Sequence, residues 1–175
     1  ASLKDVTNLK DIVNVKGNEE FKLNGDEITF DTTGNDIYYQ GSLDSNTTLP
    51  VSLKITYKLD GTEIPASSIN GKSGKLTMTI EYTANEKTED GTYIPFLAVT
   101  GMLLPTDSFQ NVQVTNGQVI SNGDYNIVVG MGLPGVSESL DLDIPNTVEL
   151  TADVTNYNVD MMMTVVTNKL LSSIS

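Results

Sequence analysis

With 175 residues and 18.9 kDa, the chain can bury a core of its own and fits one large domain or two small ones. A formal net charge of −13 sets it against phosphate backbones and anionic headgroups, which are bound through Lys and Arg, so nucleic acid and the membrane surface are excluded as partners. All ten basic residues are Lys; with no Arg, His, Cys or Trp there is no thiolate nucleophile, no imidazole base, no soft-metal, haem or iron–sulfur ligand set and no disulfide.

The chain opens on "SLKDVTNLKDIVNV". Leu3, Val6, Leu9 and Val13 have helical spacing behind a possible Ser2 cap, whereas the β-branched content favours a strand, and the two readings stay open. "EEFKL" and "EITFD" then flank Asn24-Gly25, a hairpin signature. "DIYYQG" places Tyr38 and Tyr39 on opposite faces, with one of them available for ligand contact or both satisfied inside. The polar stretch "GSLDSNTTLP", 41–50, is the candidate joint between an N-terminal β-rich portion, 1–48, and a larger domain, 49–168.

From Val51 the apolar residues recur at every second position through Leu59, Asp60-Gly61 turns the chain, and "TEI" returns. "KLTMTIEYT" and "NTVELTADVTNY" alternate in the same way, each a strand with one wet face. "YIPFLAVTGMLLP", 93–105, is a buried strand candidate, too short and too interrupted to span a bilayer of roughly 20 apolar residues. Asn116-Gly117 and Asn122-Gly123 sit between β-rich runs and are expected to form two further hairpins. "VDMMMTVV" sets Met161 and Met163 on one face and Met162 on the other, with core packing the default for all three. After Val166 alternation stops, and "NKLLSSIS", with Asn168 as cap, reads as the start of a helical or linker segment over 169–175. Ala1 in place of Met, with no signal-like stretch, reads as an excised piece.

Several motifs invite a chemical reading. Gly71-Lys72-Ser73 and Gly74-Lys75 look like the end of a phosphate loop, but Ala66 stands where the first needs its earlier Gly, Leu76 follows the second Lys, and a strand follows where a helix is required. Ser73 between Lys72 and Lys75 lacks the helical Ser-x-x-Lys arrangement of a serine–lysine hydrolase. "TEDGTY", 88–93, and "DLD", 141–143, cluster oxygens without matching a calcium loop. The 23 carboxylates read as solvated surface charge. No catalytic, cofactor-binding or metal-ligating residue is nominated, and no cofactor is expected.

Along "IYYQG", "LPVSLKITYKLDGTEI", "NGKSGKLTMTIEYT", "YIPFLAVTGMLLP", "VTNGQVISNGDYNIVVGMGLPG" and "IPNTVELTADV", the chain resembles the β-rich ectodomains of exported Gram-positive proteins that carry Leu-x-x-Gly heptad repeats and a membrane anchor, the phage infection protein-like group. That resemblance implies an extracellular, cell-surface location, with anchoring through segments outside 1–175, and transfers no catalytic residue. The expectation is an all-β protein, an antiparallel sandwich of immunoglobulin-like or similar type with a smaller N-terminal β subdomain. Its expected role is a non-catalytic structural or recognition module, an adhesion or spacer element, whose partner is a surface protein or envelope polymer. The rival is a carboxylate-dependent hydrolase of envelope or extracellular polymers. The isolated chain is expected to be monomeric because like charges repel, against a competing dimer through a sheet edge or the Met-rich final strand.

Overall fold

The computed structural model describes residues 2–16, 18–34, 36–44, 46–140 and 144–169. The protein is all-β, with antiparallel sheets throughout. The chain divides into two compact units, Ala1–Thr48 and Leu49–Ser175.

In the first unit, β1 (Ser2–Val6), β4 (Glu27–Asp31) and β3 (Phe21–Asn24) form a three-stranded sheet in the order β1-β4-β3, and β2 (Lys10–Lys16) pairs with β5 (Tyr38–Ser42). The segment that the apolar spacing left open between helix and strand is therefore extended, as its β-branched content favours. Ile28 and Phe30 are the buried residues of β4, and the Phe30 ring lies 5.5 Å from that of Phe21 and 5.4 Å from that of Tyr39. The β3–β4 turn is centred on Gly25 and Asp26, because Asn24 already pairs with Glu27.

The second unit is a sandwich of two sheets. The first is β10 (Phe109–Val114), β13 (Thr147–Val154), β8 (Gly74–Ala84), β6 (Val51–Leu59) and β7 (Thr62–Ile64), in that order. The second is β11 (Gly117–Ser121), β12 (Tyr125–Gly132), β9 (Leu97–Pro105) and β14 (Met161–Thr167). A 3-10 turn at Ala66–Ser68 and a single helical turn, α1 (Val136–Leu140), complete the regular structure among the described residues.

Period-two alternation builds the core directly. Leu76, Met78, Ile80 and Tyr82 of β8 and Val148, Leu150, Ala152 and Val154 of β13 face Ala98, Met102 and Leu104 of β9 and Val128 of β12. Burying one such aliphatic side chain stabilises the fold by about 1.5–3 kcal/mol. Opposed faces interdigitate where β12 turns glycine inward. A Cβ on Gly130 would stand 2.5 Å from Val148 Cγ1, and one on Gly132 would stand 2.5 Å from Tyr82 Cδ2, so both larger side chains occupy space that glycine leaves. The Tyr82 hydroxyl meets Thr100 Oγ1 at 2.6 Å, and Thr100 Oγ1 meets Thr164 Oγ1 at 2.7 Å, a line of hydroxyls from β8 through β9 to β14. At one end Tyr157 stacks edgewise on Tyr57 at 6.0 Å and on Phe109 at 5.5 Å, and burial pushes its phenol well above the ordinary tyrosine range.

The Asn-Gly dipeptides divide in outcome. Asn122-Gly123 closes the expected β11–β12 hairpin. Asn116-Gly117 does not form a hairpin: β10 belongs to the first sheet and β11 to the second, so the chain turns a corner between sheets there. Asn116 clasps that corner, its Nδ2 donating to Thr147 O at 2.8 Å and its carbonyl accepting from Met131 N at 2.9 Å.

Candidate functional site

The phosphate-loop lookalike is occupied by the protein's own groups. Gly71 N donates to Tyr157 O at 3.0 Å, Lys75 N donates to Asp60 Oδ1 at 2.9 Å, and Ser73 Oγ accepts from Asn156 N at 3.0 Å. β8 begins at Gly74, and a Cβ there would stand 2.6 Å from Asp60 Oδ2. A carboxylate thus lies where a phosphate would have to sit, and a strand replaces the helix whose N-terminus would hold it.

The 88–93 segment is a stapled turn. Asp90 accepts from Thr88 Oγ1 and from Thr92 N, and these bonds, led by that from Thr88, hold its carboxyl below the usual carboxylate range. Lys87 Nζ lies 4.2 Å from the centre of the Tyr93 ring. No group of three carboxylates suited to a metal ion occurs among the described residues, and 141–143 lie outside them. In the first unit Tyr38 is exposed beneath Lys16 Nζ, 4.7 Å from its ring centre, while the Tyr39 hydroxyl donates to Asp5 Oδ2 at 2.8 Å.

The methionines of β14 correct the default core assignment. Met162 packs inward against the core, but Met161 and Met163 point outward at 46% and 55% exposure. Alternation fixes this, because Met162 pairs with the inward Met102 while Met161 and Met163 pair with Leu103 and Gly101 on the opposite face.

Extending that face across the sheet brings together residues that no local motif joins. Val99, Gly101 and Leu103 of β9 lie beside Met131, Val129 and Ile127 of β12, with Met163 and Val165 of β14 on one flank and Ile120 of β11 on the other. Met131, Ile120 and Val165 are each half exposed or more. None of the four strands contains Asp, Glu or Lys. Gly101 leaves a flat centre, since nothing lies within 4 Å of where its Cβ would be. An open depression of about 470 Å³ lies to one side, lined by Gly117, Gln118, Ile120, Val129 and Met131.

The outer face of the other sheet is built in the opposite way. There Lys54, Lys58, Lys75, Glu81, Glu149 and Asp153 alternate with Ser and Thr. An antiparallel sheet normally keeps one face wet, and the five-stranded sheet obeys that rule while the four-stranded sheet departs from it. Charge is present only at its margins. Asp124 and Asp160 lie at one end of the strands, where the Tyr125 hydroxyl donates to Asp160 Oδ2 at 2.9 Å, and Lys169 lies beyond the other. The signal for this face in the sequence is the run "LAVTGMLLP", apolar at both parities, together with three more strands devoid of charge. Such a surface can bury apolar area. No helix of the described residues is long and apolar enough to cross a membrane. Comparison with protein-family models, with curated proteins and with solved structures finds no match to this chain.

Proposed function

We propose that the chain is a non-catalytic structural or recognition module of a Gram-positive surface protein, working outside the membrane and attached through segments beyond 1–175. One observation carries this reading: an uncharged, apolar sheet face on a protein of net charge −13. Contiguous apolar surface of this kind is the usual substrate of protein association, and an acidic remainder keeps the rest of the molecule from binding indiscriminately. A surface protein therefore fits the face better than an anionic envelope polymer.

The test compares wild-type protein with Val129→Lys and with Lys54→Glu, which alters the polar sheet instead. Each is immobilised and exposed to extracted surface proteins and to purified envelope polymers. Retention that Val129→Lys abolishes and Lys54→Glu spares supports the module. Turnover of chromogenic glycoside, ester or peptide substrates above a heat-treated control would replace it with the hydrolase.

A further inference from the structure

We propose that Asn24-Gly25, at the turn between β3 and β4, is a site of spontaneous backbone modification: the Gly25 nitrogen closes on the Asn24 side chain to a succinimide, which water opens to an aspartyl or isoaspartyl residue. The inference goes beyond the module reading and does not depend on it.

An Asn-Gly pair closes this ring readily because glycine sets no Cβ beside its own nitrogen. The glycine nitrogen attacks Asn Cγ, the N–Cγ bond forms and the Cγ–Nδ2 bond breaks. Nδ2 leaves as ammonia, taking up through solvent the proton that the glycine nitrogen gives up. One water then adds to either imide carbonyl. Opening at Cγ leaves an aspartyl residue; opening at the main-chain carbonyl leaves an isoaspartyl residue, whose chain runs through Cβ and Cγ. Water is the only co-reactant. Ring closure needs both partners free: the attacking N–H, and the side-chain amide that must turn towards it. Each hydrogen bond that has to open first slows the step by about three- to tenfold.

The chain has four Asn-Gly dipeptides, and the fold ties down three of them. At Asn70-Gly71 the attacking nitrogen is engaged, Gly71 N donating to the carbonyl of the buried Tyr157 at 3.0 Å. At Asn116-Gly117 the side chain is engaged, Nδ2 donating to Thr147 O at 2.8 Å, and Gly117 is crowded against Val129 O. At Asn122-Gly123 the side-chain Oδ1 accepts from Tyr125 N at 2.8 Å and from Asp124 N at 3.2 Å, which turns the amide towards those residues. Asn24-Gly25 has none of these restraints. Both residues are exposed, and among the described residues neither the Asn24 side chain nor Gly25 N has a hydrogen-bond partner. Nothing lies within 4 Å of where a Gly25 Cβ would be, so the ring has room to form.

The products change the hairpin. Either one adds a negative charge to a chain already at −13. The isoaspartyl form also puts an extra main-chain carbon where Asn24 closes the hairpin against Glu27, so that closing pair is lost while Leu23 still pairs with Ile28 and Phe21 with Phe30. The turn is thus set to loosen with time and not with a ligand.

To test this, full-length wild type is held in warm, mildly alkaline buffer, sampled over days and digested under acidic conditions, and the aspartyl and isoaspartyl products at the four asparagines are measured by mass spectrometry. A parallel sample in concentrated urea removes the fold. In the native protein Asn24 is expected to convert at least about threefold faster than Asn70, Asn116 or Asn122, and in urea the four rates should converge. Asn24→Gln, whose ring would have six members, should remove the leading product and its more acidic species on anion exchange. Hydrogen exchange of the isoaspartyl fraction should quicken at Glu27 while Phe30 stays protected. Conversion at any of the other three that equals or outruns Asn24 overturns the proposal; at Asn122 it would mean that the two N–H donors activate the carbonyl. The same ordering persisting in urea also overturns it, since sequence neighbours and not the fold would then set the rates. Unchanged exchange at Glu27 overturns the loosening of the turn.

Discussion

Among the described residues Thr100 is the one buried residue of polar type, and it is satisfied on both sides, by Tyr82 and by Thr164. Removing one member of such a line is worse than removing two, because a buried hydroxyl left without a partner keeps its full desolvation penalty. Thr100→Val preserves shape but orphans the Tyr82 hydroxyl, and is expected to destabilise the sandwich by about 1–3 kcal/mol. Tyr82→Phe leaves Thr100 bonded to Thr164 and should cost about 1 kcal/mol. The double variant should lose clearly less than the sum. Urea denaturation of the four proteins provides the cycle, and strict additivity would show that the hydroxyls act independently.

At the scale of elements, the two Asn-Gly dipeptides of the sandwich make a controlled comparison. Gly123 has φ 99° and nothing within 4 Å of a Cβ, so Gly123→Ala meets only the left-handed backbone penalty, about 1–2 kcal/mol. Gly117 does not have a positive φ, but a Cβ there would stand 2.2 Å from Val129 O, a backbone atom of the neighbouring strand. Gly117→Ala must push β11 off β12 or open the corner, and its loss should exceed that of Gly123→Ala in thermal melts. The reverse order would mean that the corner is soft. The same pair shows what the sequence discloses and what it hides. Alternation is local, so "KLTMTIEYT" and "NTVELTADV" become β8 and β13 as their period requires. Turn chemistry is local too, but it sets backbone angles and not the sheet that the next strand joins. That choice depends on Asn116 bridging Thr147 and Met131, residues distant in sequence. Over residues 2–15 the helical spacing of Leu3, Val6, Leu9 and Val13 and the β-branched content of the same segment point in opposite directions, and pairing of β1 with β4 and of β2 with β5 decides between them. The outer face of the four-stranded sheet was hidden because period two reports that a face is apolar without reporting what lies against it.

For the molecule as a whole, the titration of interest is alkaline. Burial raises the phenols of Tyr82 and Tyr157 above their ordinary value of 10.0, with the neighbouring Tyr57 adding to the effect at Tyr157. The unfolded chain then releases these protons before the folded one does. The stability they contribute is whole below pH 10 and declines as pH rises above it. Melting temperature should hold between pH 8 and about 9.5 and fall beyond, and Tyr157→Phe should flatten that fall. An unchanged slope would mean that other groups control the alkaline limit. A last consequence belongs to the sulfur atoms. With no cysteine present, methionine is the only sulfur in the chain, and its six residues are sorted by the sheets: Met78, Met102 and Met162 inward, Met131, Met161 and Met163 outward. Dilute peroxide should add up to three oxygens, located by mass spectrometry at the outward residues, while the thermal transition persists. The most water-averse part of the protein is also the part that an oxidant can make polar without unfolding it, so association through this face would be erased by peroxide and restored by methionine sulfoxide reductase.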